Sequence, residues 1–168
     1  MSFLLLDAMR DYLTEALAGL PLLDPASRGR EARLRPPRVL IGELPPRNQE
    51  KEREPAADEG GYPFVLLRGG KGEDLIDFST CDVELVCAVA ASERGEAVEH
   101  EIQNLVGWVR TALLSRRVIG GIGELTPDNR GRLLTWDVYP EYAHPYVAAR
   151  IQGTWKLPGI QLTEESYA

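Results

Sequence analysis

Between Val147 and Leu157 apolar and polar residues alternate without a break. Val147, Ala149, Ile151, Gly153, Trp155 and Leu157 fall in one phase; Ala148, Arg150, Gln152, Thr154 and Lys156 fall in the other. Only extended backbone sends successive side chains to opposite faces, so this segment is a strand with one covered and one open face. A chain holding such a strand must build a sheet around it and find something to lie across the apolar face.

Two segments have the right spacing to do so. From Phe3 to Leu17, Leu6, Met9, Arg10, Leu13 and Leu17 recur at helical intervals until Gly19 and Pro21 stop the pattern. A second helix starts near Ser92 to Arg94, where Ser92 can cap it and Glu93, Glu96 and Glu99 face the positive end of its dipole. Its core stripe is Val98, Ile102, Leu105, Val106, Val109 and Leu113; Arg110, Arg116 and Arg117 follow toward its C-terminal end, and Gly120, Gly121 and Gly123 break it.

Further strands are expected at Arg38 to Leu44, at Tyr62 to Arg68 where Gly69-Gly70 ends the run, and at Asp82 to Ala90 after a polar loop. In the last of these, Val83, Leu85, Cys87 and Val89 alternate with Glu84, Val86 and Ala88. Ile122 to Leu125 and Leu133 to Tyr139 bracket Thr126-Pro127-Asp128-Asn129-Arg130-Gly131, which has the chemistry of a hairpin turn. The order α-β-β-α-β-β predicts an α/β (α+β) fold with a largely antiparallel or mixed sheet and both helices on one face. The 168 residues suit a single domain spanning 1–168. Pro45 to Gly61, with a charged run at Glu50 to Glu54, has little to bury and is expected to be a mobile charged loop inserted in that domain.

Composition narrows the functional classes. A hydrophobic fraction of 43 % is that of an ordinary folded protein, and no apolar run approaches the roughly 20 residues of a membrane span. The apolar start at Phe3 to Leu6 lacks a basic leader and is broken by Asp7, Arg10 and Asp11, so synthesis in the cytoplasm is expected. The net charge of −7 disfavours gripping a phosphate backbone. That charge is uneven: Arg28, Arg30, Arg33, Arg35 and Arg38 form a basic cluster, while Glu73, Asp74, Asp77, Asp82 and Glu84 follow one another with no intervening base. Cys81 and Cys87, about 20 Å apart along one strand, cannot form a disulfide and are expected to be small buried residues.

The chemical motifs are incomplete. His100-Glu101 opens a zinc-protease signature whose second histidine would be residue 104, which is Asn104. Arg68-Gly69-Gly70-Lys71-Gly72 lacks the Ser or Thr and the helix of a phosphate loop, and Glu73 and Asp74 would repel an anion. Gly120 to Gly123 lacks the strand-glycine-helix setting of a dinucleotide site. Glu73, Asp74 and Asp77 have oxygen donors for a hard cation, but solvated carboxylates are the simpler reading. Asp137, Tyr139, Tyr142, His144 and Tyr146 are the most enzyme-like group, with a base at His144 and no nucleophile beside it. The expectation is therefore no catalytic, cofactor-binding or metal-binding residues and no enzyme activity; a small enzyme or ligand-binding module around His144 is the alternative.

The strand Tyr62-Pro63-Phe64-Val65-Leu66-Leu67-Arg68, the strand Asp82 to Ala90 with the helix around Glu99 to Leu114, Leu133-Leu134-Thr135-Trp136, and the closing Ile151-Gln152-Gly153-Thr154-Trp155-Lys156-Leu157-Pro158 together carry a resemblance. Over roughly Tyr62 to Ile160 the chain resembles the tail-terminator, tail-completion (minor tail protein U type) and neck proteins of long-tailed bacteriophages. The resemblance implies a structural virion subunit, made in the bacterial host cytoplasm. It would form a ring, commonly hexameric, at the end of the tail tube and join it to the head connector. It also implies no cofactor and no membrane, with DNA passing through the ring without being specifically bound. Another neck or tail subunit is the nearest alternative. The Pro45 to Gly61 insertion and the Arg28 to Arg38 segment depart from the family pattern.

Overall fold

The computed structural model of the protein describes residues 2–23, 34–42, 62–90, 96–139 and 146–159. Helix α1 (Ser2–Ala16) is followed by short strands β1 (Leu22–Leu23) and β2 (Leu34–Arg35), which pair antiparallel. Then come β3 (Arg38–Ile41), β4 (Phe64–Asp74), β5 (Phe78–Ala90), helix α2 (Glu96–Ser115), β6 (Val118–Ile119), β7 (Gly123–Thr126), β8 (Leu134–Tyr139) and β9 (Tyr146–Pro158). The seven strands from β3 onward form one sheet in the order β3-β4-β5-β9-β7-β6, with β8 also paired to β9. Only β3 and β4 run parallel, so the sheet is mixed and largely antiparallel, as expected. The expected loop Pro45 to Gly61, the cap at Ser92 and the residues Arg28, Arg30 and Arg33 lie outside the described residues.

The alternation in β9 determines the two faces. Ala149, Ile151, Trp155 and Leu157 are buried together with Cys81, Val83, Leu85, Cys87 and Val89 of β5 and Val65 and Leu67 of β4. Both helices cover this face: Leu5, Met9 and Leu13 from α1 with Leu17 in the turn after it, and Ile102, Leu105, Val106, Val109 and Leu113 from α2. Each such side chain contributes about 1.5–3 kcal/mol on leaving water. Arg10, part of the expected stripe of α1, instead turns outward and pairs with Asp7 at 3.3 Å. Gly153 is needed in β9, because a Cβ there would lie 2.8 Å from Leu134 Cδ2 and 2.9 Å from the Trp155 ring.

The opposite face is apolar only at one end, where Tyr62, Phe64, Leu66, Ala88 and Ala148 form a second, smaller buried cluster. Elsewhere it carries a polar lattice. Thr154 Oγ1 donates to Asp82 Oδ1 at 2.7 Å, Gln152 Nε2 to Glu84 Oε2 at 3.4 Å, and Arg150 Nη2 to Asp137 Oδ2 at 3.2 Å.

Two expectations are corrected. The polar loop between Gly70 and Asp82 is a long hairpin: β4 continues through its glycines to Asp74, β5 already starts at Phe78, and Leu75 N–H donates to Phe78 O at 2.8 Å across the tip. The glycines do not end β4 because they form a bulge. Gly69 pairs with Val83 and Gly72 with Cys81, so β4 spends one residue more than β5 over the same stretch. The second correction concerns β7 and β8, which do not form a hairpin. Both pair antiparallel with β9, and Thr126 opposite Thr154 is followed directly by Leu134 opposite Gly153. They are one strand interrupted by an excursion from Pro127 to Leu133. Asp128 and Gly131 do make a turn here, but it returns the chain to its original direction.

Candidate functional site

The two interruptions lie in neighbouring rows of the sheet. Gly69, Val83, Gly153 and Leu134 are paired in one row; in the next, Asp82 pairs with Thr154 and Thr154 with Thr126. The bulge on one side and the excursion on the other therefore flank the same Asp82–Thr154 contact. Between them a groove of about 310 Å³ opens on the face away from the helices. Lys71 of the bulge, Asp128 and Arg132 of the excursion, and Asp82, Glu84 and Gln152 of the central strands supply its charged and amide groups.

The walls of this groove are held by their own hydrogen bonds. Asp128 organises the excursion: its Oδ1 accepts from Arg130 N–H at 2.8 Å and Arg132 N–H at 2.9 Å, and its Oδ2 from Arg132 Nε at 2.7 Å. Gly131 takes a φ of 78° to close the turn, a conformation that costs a residue with a Cβ. The Arg132 backbone hydrogen bond is the main cause holding the Asp128 carboxyl below its usual range. Lys71 Nζ lies 2.7 Å from Glu73 Oε1; their hydrogen bond first, and their opposite charges second, raise the lysine and lower the glutamate. No histidine or cysteine is among the lining residues. Asp82 and Glu84 lie two residues apart on one strand face, about 7 Å, and each already accepts a side-chain hydrogen bond. The groove thus offers a mixed-charge, hydrogen-bonded surface rather than a nucleophile with an aligned base.

The other residues singled out from sequence are scattered. His100 and Asn104 are exposed on α2, beside a shallow depression with Glu99 and Gln103. Asp74 accepts a hydrogen bond from Ser79 Oγ at 2.6 Å near the hairpin tip, and Asp77 is exposed in the tip itself. Asp137 and Tyr139 are brought together by Arg150, whose guanidinium bonds the first and lies 5.6 Å from the ring centroid of the second. The Asp137 hydrogen bond raises the Arg150 pKa. Tyr142 and His144 lie outside the described residues. Cys81 and Cys87 are buried free thiols; burial raises both and pushes Cys87 up to about 12. Among the described residues no three His, Cys, Asp or Glu side chains converge to hold a metal ion, and no helix is long and apolar enough to cross a membrane.

The feature that sequence reasoning missed is the distal hairpin. Beyond Ile41, where β3 ends, β4 is paired on one side only among the described residues, and every residue from Arg68 to Asp77 is exposed. Ile76 at the tip is 97 % exposed and Leu75 beside it 50 %. The available signal was Cys81, which shares the phase of Val83, Leu85 and Cys87 and so extends β5 upstream. No model of a known protein family matches the sequence, and comparison with curated proteins gives no match either.

Proposed function

We propose that this chain is a structural subunit of a bacteriophage virion, closing into a ring at the end of the tail tube and joining it to the head connector. The observation that carries this reading is the exposed half of the β4–β5 hairpin. It presents to solvent two apolar side chains and a strand edge that no described residue pairs, a liability in a monomer and a contact surface in an assembly. A subunit that repeats one heterologous contact around an axis needs such an edge, and ring closure then removes it. The net charge of −7 suits a wall past which duplex DNA slides, because each phosphate gripped by a cation must be released again. The role is structural and calls for no reaction.

Two measurements test the reading. The purified protein is expected to sediment as a closed oligomer and to bind only the ends of purified tail tubes, seen by electron microscopy as stain-dense caps. Binding along the tube wall, or none at either end, would remove the tail-end assignment. Duplex DNA at physiological salt is expected to show no binding at micromolar protein.

A further inference from the structure

The distal half of the sheet has two opposite edges of different character. On one side, β4 beyond Arg68 carries Lys71, ion-paired with Glu73 at 2.7 Å, then Asp74, and leads to the tip Leu75-Ile76-Asp77, all exposed, so that the carboxylates of Asp74 and Asp77 leave this edge net acidic from Lys71 onward. On the other, β6 is the last strand among the described residues and is entered through Arg116 and Arg117, both exposed. Register places the two edges at one level. Glu73 pairs with Thr80, Thr80 with Lys156, Lys156 with Glu124 and Glu124 with Val118. Four strand spacings, about 19 Å, therefore separate an acidic edge from a basic one. Both also show apolar surface: Leu75 and Ile76 at the tip, and Val118 on β6 with Leu114 in the last turn of α2 just before it.

We propose that the distal β4–β5 hairpin of one copy docks on the Arg116–Val118 edge of a second copy. This interface deepens the ring reading above and rests on its premise that the chain self-associates. The occupant is chosen by complementarity: Glu73, Asp74 and Asp77 meet Arg116 and Arg117, while Leu75 and Ile76 cover Leu114 and Val118. Two copies of the same edge would instead set like charges face to face, which costs affinity. Because the edges lie on opposite sides of one sheet, each copy uses both at once. The contact is then heterologous and propagates in one direction around a ring.

Charge reversal on each edge provides the test. One variant carries Glu73→Lys, Asp74→Lys and Asp77→Lys; the other carries Arg116→Glu and Arg117→Glu. Each alone then has two edges of the same sign and is expected to self-associate roughly tenfold or more weakly by sedimentation velocity. Mixed in equal amounts they should co-assemble, because the basic tip of one fits the acidic edge of the other. That recovery also demonstrates that both are folded. Raising the salt from about 0.1 M to 1 M should weaken the wild-type assembly as the Debye length shortens from about 10 Å to 3 Å. A wild-type protein that stays monomeric at about 100 µM overturns the proposal, as do variants that assemble normally or a mixture that fails to recover. Oligomers that recover on mixing but ignore tail tubes would keep this interface and refute the tail-end reading alone.

Discussion

The two halves of β4 make the plainest contrast in the molecule. Phe64 to Leu67 are buried on both faces, flanked by β3 and β5, whereas Arg68 to Asp74 are exposed with only β5 beside them among the described residues. The division is carried across the sheet, since the bulge at Gly69 to Gly72 and the excursion at Pro127 to Leu133 lie in adjoining rows. The larger apolar cluster runs beneath both halves on the helix-covered face, whereas the smaller one lies on the opposite face of the proximal half alone. In the distal half the helix-facing residues of β5 and β9 stay buried as far as Cys81 and Leu157, while β4 runs on outside that cover. One strand thus serves folding with its first half and presents surface with its second. Position along a strand, not membership of it, decides what a residue contributes.

Substitutions at matched places should expose this division. The largest effect is expected at Trp155, fully buried in the helix-covered face opposite Cys81 and Leu125. Trp155→Ala should cost about 3–5 kcal/mol in denaturant unfolding, enough to unfold a marginal domain. A loss below about 1 kcal/mol would mean that the core continues without it. Next comes a pair on the hairpin itself. Leu67→Ala, in the proximal half, should cost about 2–5 kcal/mol. Ile76→Ser, at the tip, should leave monomer stability within about 0.5 kcal/mol of wild type. Equal costs at the two positions would erase the distinction between the halves.

Periodicity within a single element made much of this fold legible. The alternation from Val147 to Leu157, the stripe from Leu6 to Leu17 and that from Ile102 to Leu113 each reported the face that the structure buries. What could not be read locally was pairing. The glycines at 69, 70 and 72 look like a strand ending, because the bulge that accommodates them exists only with β5 alongside. Asp128 and Gly131 look like a hairpin turn, because only β9 specifies that the chain rejoins the same edge. The parallel partnership of β3 with β4 has no local signature either. The groove inherits this limit: it is made where the two interruptions meet, and neither alone marks a site.

The two cysteines offer a finer probe, since each lies in a different half of β5. Cys87 faces Val65 and Ala149 in the proximal rows, and Cys81 faces Gly72 and Trp155 in the distal ones. With Cys87 pushed up to about 12 and Cys81 also raised, both are protonated thiols near pH 8 and should react only after local opening. Mass-resolved alkylation in low denaturant is expected to label Cys81 first, by partial opening of the distal rows, and Cys87 only with global unfolding. Identical rates at the two sites would show that the halves open as one unit.

The smallest expected effect concerns the boundary between the halves, where Asp128 closes the excursion. Its carboxylate accepts two backbone N–H bonds and one from the Arg132 side chain, so Asp128→Ala should lower the thermal midpoint slightly, and Asp128→Asn less, because an amide oxygen can still accept. The pH dependence separates charge from geometry. The folded carboxyl binds its proton less readily than the unfolded one, whose pKa is about 3.9. Its stabilising contribution is therefore present at neutral pH. It begins to fade as pH falls toward about 4 and disappears once pH passes below the lowered folded value. The Asn variant carries no such proton, so the gap between wild type and Asp128→Asn should narrow on acidification from pH 7 through that range. The side chain is half-buried at the surface and its partner Arg132 is exposed, so solvent screening keeps the effect small and makes a paired comparison of midpoints at each pH the proper measurement. A gap that stays constant with pH would assign the excursion's closure to backbone geometry alone, with Gly131 at φ 78° rather than the Asp128 charge keeping β7 and β8 on one line.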